Sequence, residues 1–108
     1  MTLEFRKFQV HLVGLNPTRG AEMRKIRPAL VISPDELNRH LSTVIIAPMT
    51  STLKDWPCRV AVRFNGKQGQ VALDQMRSID KRRSLEYLGD IDHRTADRVS
   101  QRLREMFA

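Results

Sequence analysis

The sequence predicts a mainly β protein, a small antiparallel barrel with a short helical insertion and a C-terminal helix. Three observations lead there. Short alternating or apolar segments are separated by Gly, Pro, Asn and Asp at close intervals, the pattern of short strands joined by turns. Apolar residues at helical spacing appear in one long segment, which begins at Asp92. The chain has 108 residues, which suits a single domain over 1–108 and is too short for two.

Phe8, Val10 and Leu12 alternate with Gln9 and His11, the period of a half-buried first strand. Gly14, Pro17 and Gly20 then break the pattern, so residues 14–26 read as one long polar and basic loop, a length that often marks function. Pro28 to Ile32 is a continuously apolar strand. In Ser33-Pro34-Asp35-Glu36, Ser33 is a candidate cap, Pro34 suits the first helical position and Glu36 completes a capping box, predicting a helical turn through Asn38. A third strand runs from Thr43 and ends at Pro48, with a second polar loop over 49–57. Cys58, Val60, Val62 and Phe64 then alternate with Arg59, Ala61 and Arg63, giving a strand with one basic face. Asn65-Gly66 signals a type I′ hairpin turn. Val71-Ala72-Leu73 resumes the sheet, and 75–80 and 85–91 read as further strands. On the final helix Ala96, Val99, Leu103 and Met106 share one face, continued by Phe107, for core or dimer packing.

Composition narrows the function. Hydrophobic residues make up 41% and charged residues 29%, the balance of a globular domain rather than a disordered one. A single cysteine, Cys58, excludes an internal disulfide framework and a multi-cysteine zinc site. No apolar run approaches the ~20 residues of a membrane span, and the N-terminus lacks a signal-peptide core, so a cytoplasmic protein is expected. The net charge is +7. Eight basic against four acidic residues fall in 1–54, and eleven against eight in 55–108, so the excess is spread over the folded body. Such a body favours nucleic acid or an acidic protein partner, set against the plainer possibility of a solvated basic surface. Six aromatic residues are too few for an extensive base-stacking platform.

Nucleotide-binding glycine loops and a Ser/His/Asp arrangement are missing from the sequence. His11, His40 and His93 are dispersed without ligand spacing, so no metal or cofactor is expected. The remaining polar groups stand where strands meet loops. Glu22 and Arg27 flank the start of the second strand, Thr50 and Ser51 follow the third, and Asp74-Gln75 adjoin another. Strands that end together bring these groups into one cleft. There an arginine fork binds phosphate oxygens, hydroxyls donate to them, and a carboxylate is a candidate base. Each group also has a structural alternative: a strand-edge salt bridge for Arg27, loop capping for Thr50 and Ser51, an ion pair with Arg77 for Asp74, and a solvated face for Arg77, Lys81, Arg82 and Arg83.

Leu15-Asn16-Pro17-Thr18, Gly20, Glu22, Arg27 through Pro34 and Asn38 follow one another in a recognisable order. Ala47-Pro48-Met49-Thr50-Ser51, Asp74 through Lys81, Arg83 and Gly89 continue it. Across nearly the whole chain this sequence resembles the MazF/PemK family of toxin endoribonucleases. The resemblance implies an SH3-like barrel of the CcdB/PemK type, usually a homodimer. It implies metal-independent, sequence-selective cleavage of single-stranded RNA, leaving a 2′,3′-cyclic phosphate and a 5′-hydroxyl, and inhibition by a cognate acidic antitoxin. Carried over residue by residue, it makes Arg27 the holder of the scissile phosphate, Thr50 its hydroxyl partner and Glu22 a candidate base. Ser51, Asp74, Gln75, Arg77, Arg24 and Lys25 complete the substrate-binding set it implies. Ala21, Met23 and Ala72 depart from the family pattern, so the acid–base residues of PemK-type members are missing at these positions. Two other classes fit the same fold: a gyrase-directed toxin of the CcdB type, and a non-catalytic RNA-binding module.

Overall fold

A computed structural model of the protein describes residues 4–15 and 26–108. The described elements are β1 (Gln9–Gly14), β2 (Ile26–Val31), α1 (Asp35–His40), β3 (Thr43–Thr50), β4 (Arg59–Phe64), β5 (Lys67–Ala72), β6 (Arg77–Asp80), β7 (Ser84–Asp90) and α2 (His93–Met106). Short 3-10 turns cover Leu73–Gln75 and Lys81–Arg83. All pairings are antiparallel, in the order β4-β5-β3-β2-β1-β7, with β6 also beside β3.

The curl of this sheet originates in β3. One edge of β3 pairs with β2, from Val31↔Ile46 to Ala29↔Pro48. The other edge takes β6 over Thr43 to Ile46 and then β5 at Met49 and Thr50. A strand that changes partners in this way turns a corner, and the sheet becomes an open half-barrel. Pro48, expected to end the strand, lies inside it instead. It sits between the β6 and β5 pairings, where the ladder on that edge is already interrupted.

Both faces of the central strands are covered. Leu30, Ala47, Val60, Val71 and Leu73 fill the concave side together with Ala96 and Val99 of α2. Ala29, Val31, Val44, Ile46 and Ile79 pack on the convex side under Phe5. A strand buried on both faces has no polar side, which explains the apolar run of β2 after Arg27. β1 keeps its alternation, but its second face is buried too: Val13 and His11 lie under the N-terminal segment, and His11 is wholly buried. The strand also starts one residue late. Phe8 has φ 73, and its N–H donates to the Val31 carbonyl while its own carbonyl accepts from the N–H of Ile91.

Of the local expectations, one fails and two are met. The capping box does not form: Pro34 is the cap residue of α1 and no side chain caps the helix, which runs on to His40. Ser33 is buried and donates to the Asn38 side chain, while its hydroxyl accepts the N–H of Ile45. Two buried polar groups thus satisfy one another rather than the helix end. The Asn65-Gly66 turn is as predicted, with φ of 51 and 79 and Phe64 facing Lys67. Asp92 caps α2, accepting from the N–H and hydroxyl of Thr95. The apolar face of α2 is buried at Ala96 and Val99 and half-buried at Leu103, while Met106 and Phe107 lie exposed.

β4 is a terminal strand of the sheet, and α2 shields it. Arg98 donates to the Ala61 carbonyl and Arg102 to the Pro57 carbonyl, occupying acceptors that a neighbouring strand would otherwise seek.

Burial holds the imidazolium form of His11 down, lowering its pKa below 6.5. Its ring stacks on Phe5 at 4.5 Å and hydrogen-bonds Ser84 Oγ and Gln9 Oε1. The unfolded chain therefore takes up the proton first, and stability is full above the unfolded value, falling as pH drops below about 6.5. Urea midpoints measured between pH 7.5 and 5.5 should decline, and His11→Gln should flatten that slope. An unchanged slope in the variant would assign it elsewhere.

Candidate active site

Because β2 and β3 are antiparallel, the start of one lies beside the end of the other. Their register pairs Ala29 with Pro48, and continuing it two residues sets Arg27 opposite Thr50. Both residues line one cleft of about 500 Å³, with Ser51, Thr52 and Pro28. Two strand ends and the loop after β3 thus bring together three residues that the sequence had marked, Arg27, Thr50 and Ser51.

Arg27 is half-buried, and among the described residues no carboxylate or carbonyl pairs with its guanidinium. A partly desolvated arginine fork beside hydroxyl groups is a binding arrangement for an oxyanion. The hydroxyl of Thr50 accepts the N–H of Thr52 at 3.0 Å, which orients it and leaves its own proton to donate. Ser51 is exposed at the rim.

The other wall comes from the β4–β5 hairpin: Phe64, Asn65, Lys67 and Gln68. Sequence reasoning used Asn65-Gly66 only to place a turn and overlooked Lys67 as a second cation of the cleft. It also overlooked Gly69. A Cβ on Gly69 would stand 2.6 Å from the Thr50 carbonyl oxygen, so only glycine lets β5 approach the Thr50 backbone this closely. A glycine inside a strand-like segment was the available signal.

Asp74 and Gln75 are exposed in the 3-10 turn after β5 and do not line this cleft. The partner of Asp74 is Arg59, not Arg77: Arg59 Nε donates to Asp74 Oδ1 at 2.7 Å. This bond, more than any other cause, lowers the Asp74 pKa. Arg59 also donates to the Thr52 carbonyl at 3.1 Å and to Gln70 Oε1 at 3.2 Å. The predicted basic face of β4 is corrected accordingly, since Arg59 is buried and bonded to Asp74, Thr52 and Gln70 while Arg63 alone of the pair is exposed. Arg77 is exposed and donates to the Leu15 carbonyl, as Arg83 does to that of Gly14, so both hold the end of β1. Asp80 is drawn down to about 2 by its bonds from Arg82. Glu22, Arg24 and Lys25 lie outside the described residues. Among the described residues no group of three or more His, Cys, Asp or Glu is placed to hold a metal ion.

A half-barrel whose strand ends present an oriented hydroxyl and an arginine with no acceptor among the described residues is a small basic β protein with the side-chain chemistry of an oxyanion site. The family model of the PemK-like, MazF-like toxin of type II toxin–antitoxin systems matches residues 6–107, and the chain belongs to that family. Endoribonuclease EndoA of Bacillus subtilis is 29% identical over 105 residues, spanning 92% of this chain and 90% of the relative. Endoribonuclease MazF of Staphylococcus saprophyticus is 33% identical over 94 residues, spanning 79% and 78%. A MazE–MazF crystal structure from Deinococcus radiodurans superposes with a TM-score of 0.83 at 27% identity, covering 97% of this chain and 96% of that one.

Gly69 offers a check on the cleft geometry. Gly69→Ala should lower unfolding stability by about 1–3 kcal/mol, as overpacking does, and shift the Thr50 amide resonance. A variant of parental stability with an unmoved Thr50 signal would show that β5 needs no glycine there.

Proposed function

We propose that the protein is a MazF-type endoribonuclease toxin that cuts single-stranded RNA, mRNA above all, in the cytoplasm, without a metal ion. The observation that carries this reading is the Arg27 guanidinium, without an acceptor among the described residues, sharing a cleft with the oriented Thr50 hydroxyl. In the reaction, the ribose 2′-oxygen attacks the adjacent phosphorus and the bond to the 5′-oxygen breaks. A base takes the 2′-hydroxyl proton, and the departing 5′-oxygen gains one. The products carry a 2′,3′-cyclic phosphate and a 5′-hydroxyl. Negative charge grows on the nonbridging oxygens at the transition state, and a fixed guanidinium and a hydroxyl donor stabilise that state more than the ground state. Arg27 and Thr50 take these roles. Glu22, two residues beyond Gly20 in the same chain region as Arg27, is our candidate base. Lys67 and Ser51 hold flanking phosphates.

Type II toxins are held in check by an antitoxin, and a basic cleft on a chain of net charge +7 suits an acidic inhibitor segment. The working unit we propose is a twofold dimer, which sedimentation at micromolar concentration tests directly; a monomer would count against it.

Cleavage of a long single-stranded RNA in excess EDTA, with the ends mapped, tests the chemistry. Activity lost with EDTA, or products with 3′-hydroxyl ends, would overturn the metal-independent mechanism. RNA left intact throughout would favour a non-catalytic RNA binder. Arg27→Ala should slow single-turnover cleavage about 100–1,000-fold. Arg27→Lys should be nearly as slow, because lysine keeps the charge but loses the planar fork. RNA affinity should change far less, since the other cations still meet the backbone. A folded Arg27→Ala protein cutting within a few-fold of the parent would make Arg27 a strand-edge residue.

A further inference from the structure

Trp56 lies beyond the cleft and has no part in the mechanism above. It is the only tryptophan of the chain and is 47% exposed. Its setting is ordered rather than loose. The Arg59 guanidinium carbon lies 5.0 Å from the ring centroid, and Arg59 is itself buried and held by Asp74, Gln70 and the Thr52 carbonyl. The Lys54 ammonium stands 5.4 Å from the same ring. Arg98 and Arg102 join Trp56 and Lys54 around a hollow of about 440 Å³. An indole on a buried cation, with further cations beside it, offers a flat stacking surface together with positive charge. Those are the two requirements for gripping one unit of a single strand without regard to sequence.

The hollow is also wired to the cleft. Thr52 lines the cleft, its carbonyl accepts from Arg59 at 3.1 Å, and Arg59 lies 5.0 Å from the indole. The loop after β3 therefore links the Arg27–Thr50 cleft to Trp56. We propose that Trp56 is a stacking station for one unpaired nucleobase of the RNA, set beside the cleft and held in orientation by the Arg59–Asp74 pair. The proposal rests on the RNA reading of the cleft. Lys54, exposed and long, moves from the ring to the phosphate of the stacked unit.

Because Trp56 is the sole tryptophan, its emission reports the station directly. The probes are a mixed-sequence 2′-O-methyl RNA, which lacks the attacking hydroxyl, an abasic strand of equal charge, and polyglutamate. The base-bearing strand should quench Trp56, and the other two should leave the emission in place. Trp56→Ala should weaken binding of the 2′-O-methyl strand about 5- to 150-fold, as loss of one stacked base does. Trp56→Phe should recover most of that affinity, and in cleavage assays the loss should appear in KM. Equal quenching by the abasic strand, or quenching by polyglutamate instead, would overturn the proposal, the latter by marking a peptide surface. Affinity of Trp56→Ala within twofold of the parent would also overturn it. If the parent leaves RNA intact while only the base-bearing strand quenches Trp56, the cleavage reading fails and the stacking station stands.

Discussion

The pairing of β3 with three partners is the constraint on which the molecule depends. β2 occupies one edge, while β6 and then β5 share the other. This exchange bends the sheet, creates the concave pocket that α2 fills, and leaves the last residues of β3 at the mouth of the curl. Thr50 is therefore a strand residue with backbone partners on β5, not a loop residue free to adjust. A hydroxyl fixed in this way needs little reorganisation when charge develops beside it, which is the condition under which donors are most effective.

Electrostatics divides the arginines into two populations. Arg59, Arg98, Arg102, Arg77 and Arg83 donate to carbonyls or carboxylates of the protein and hold strands, turns and loop ends in place. Arg27 has no such partner among the described residues. A high net positive charge is thus only partly a nucleic-acid signal, since much of it is spent on internal structure. The informative property is an arginine held half-buried with no acceptor among the described residues.

Elements with a local cause were legible in the sequence. The hairpin at Asn65-Gly66 follows from turn chemistry, α2 from Asp92 and the spacing of Ala96 and Val99, and β2 from its apolar run. Arg27 and Thr50 were legible as a pair through the family resemblance, and the register of β2 and β3 gives that pairing a geometric reason. What stayed hidden had tertiary causes. Pro48 reads as a strand end unless the change of partner beside it is known. His11 reads as solvent-facing until Phe5 folds across it. Arg59 reads as surface charge until Asp74, fifteen residues away, arrives beside it. Ser33 reads as a helix cap until Asn38 claims its hydroxyl. In each case a long-range partner outcompeted a local preference.

The arginines of α2 that occupy carbonyls of β4 and of the turn before it also bear on how the chain behaves while it is being made. The helix follows β4 in the sequence, so during synthesis the β4 edge waits uncovered, with Val60 and Val62 behind it. Until α2 docks, that edge is a template on which a second nascent chain can add a strand. The cover that α2 gives this edge is thus also a safeguard against strand addition by a second copy.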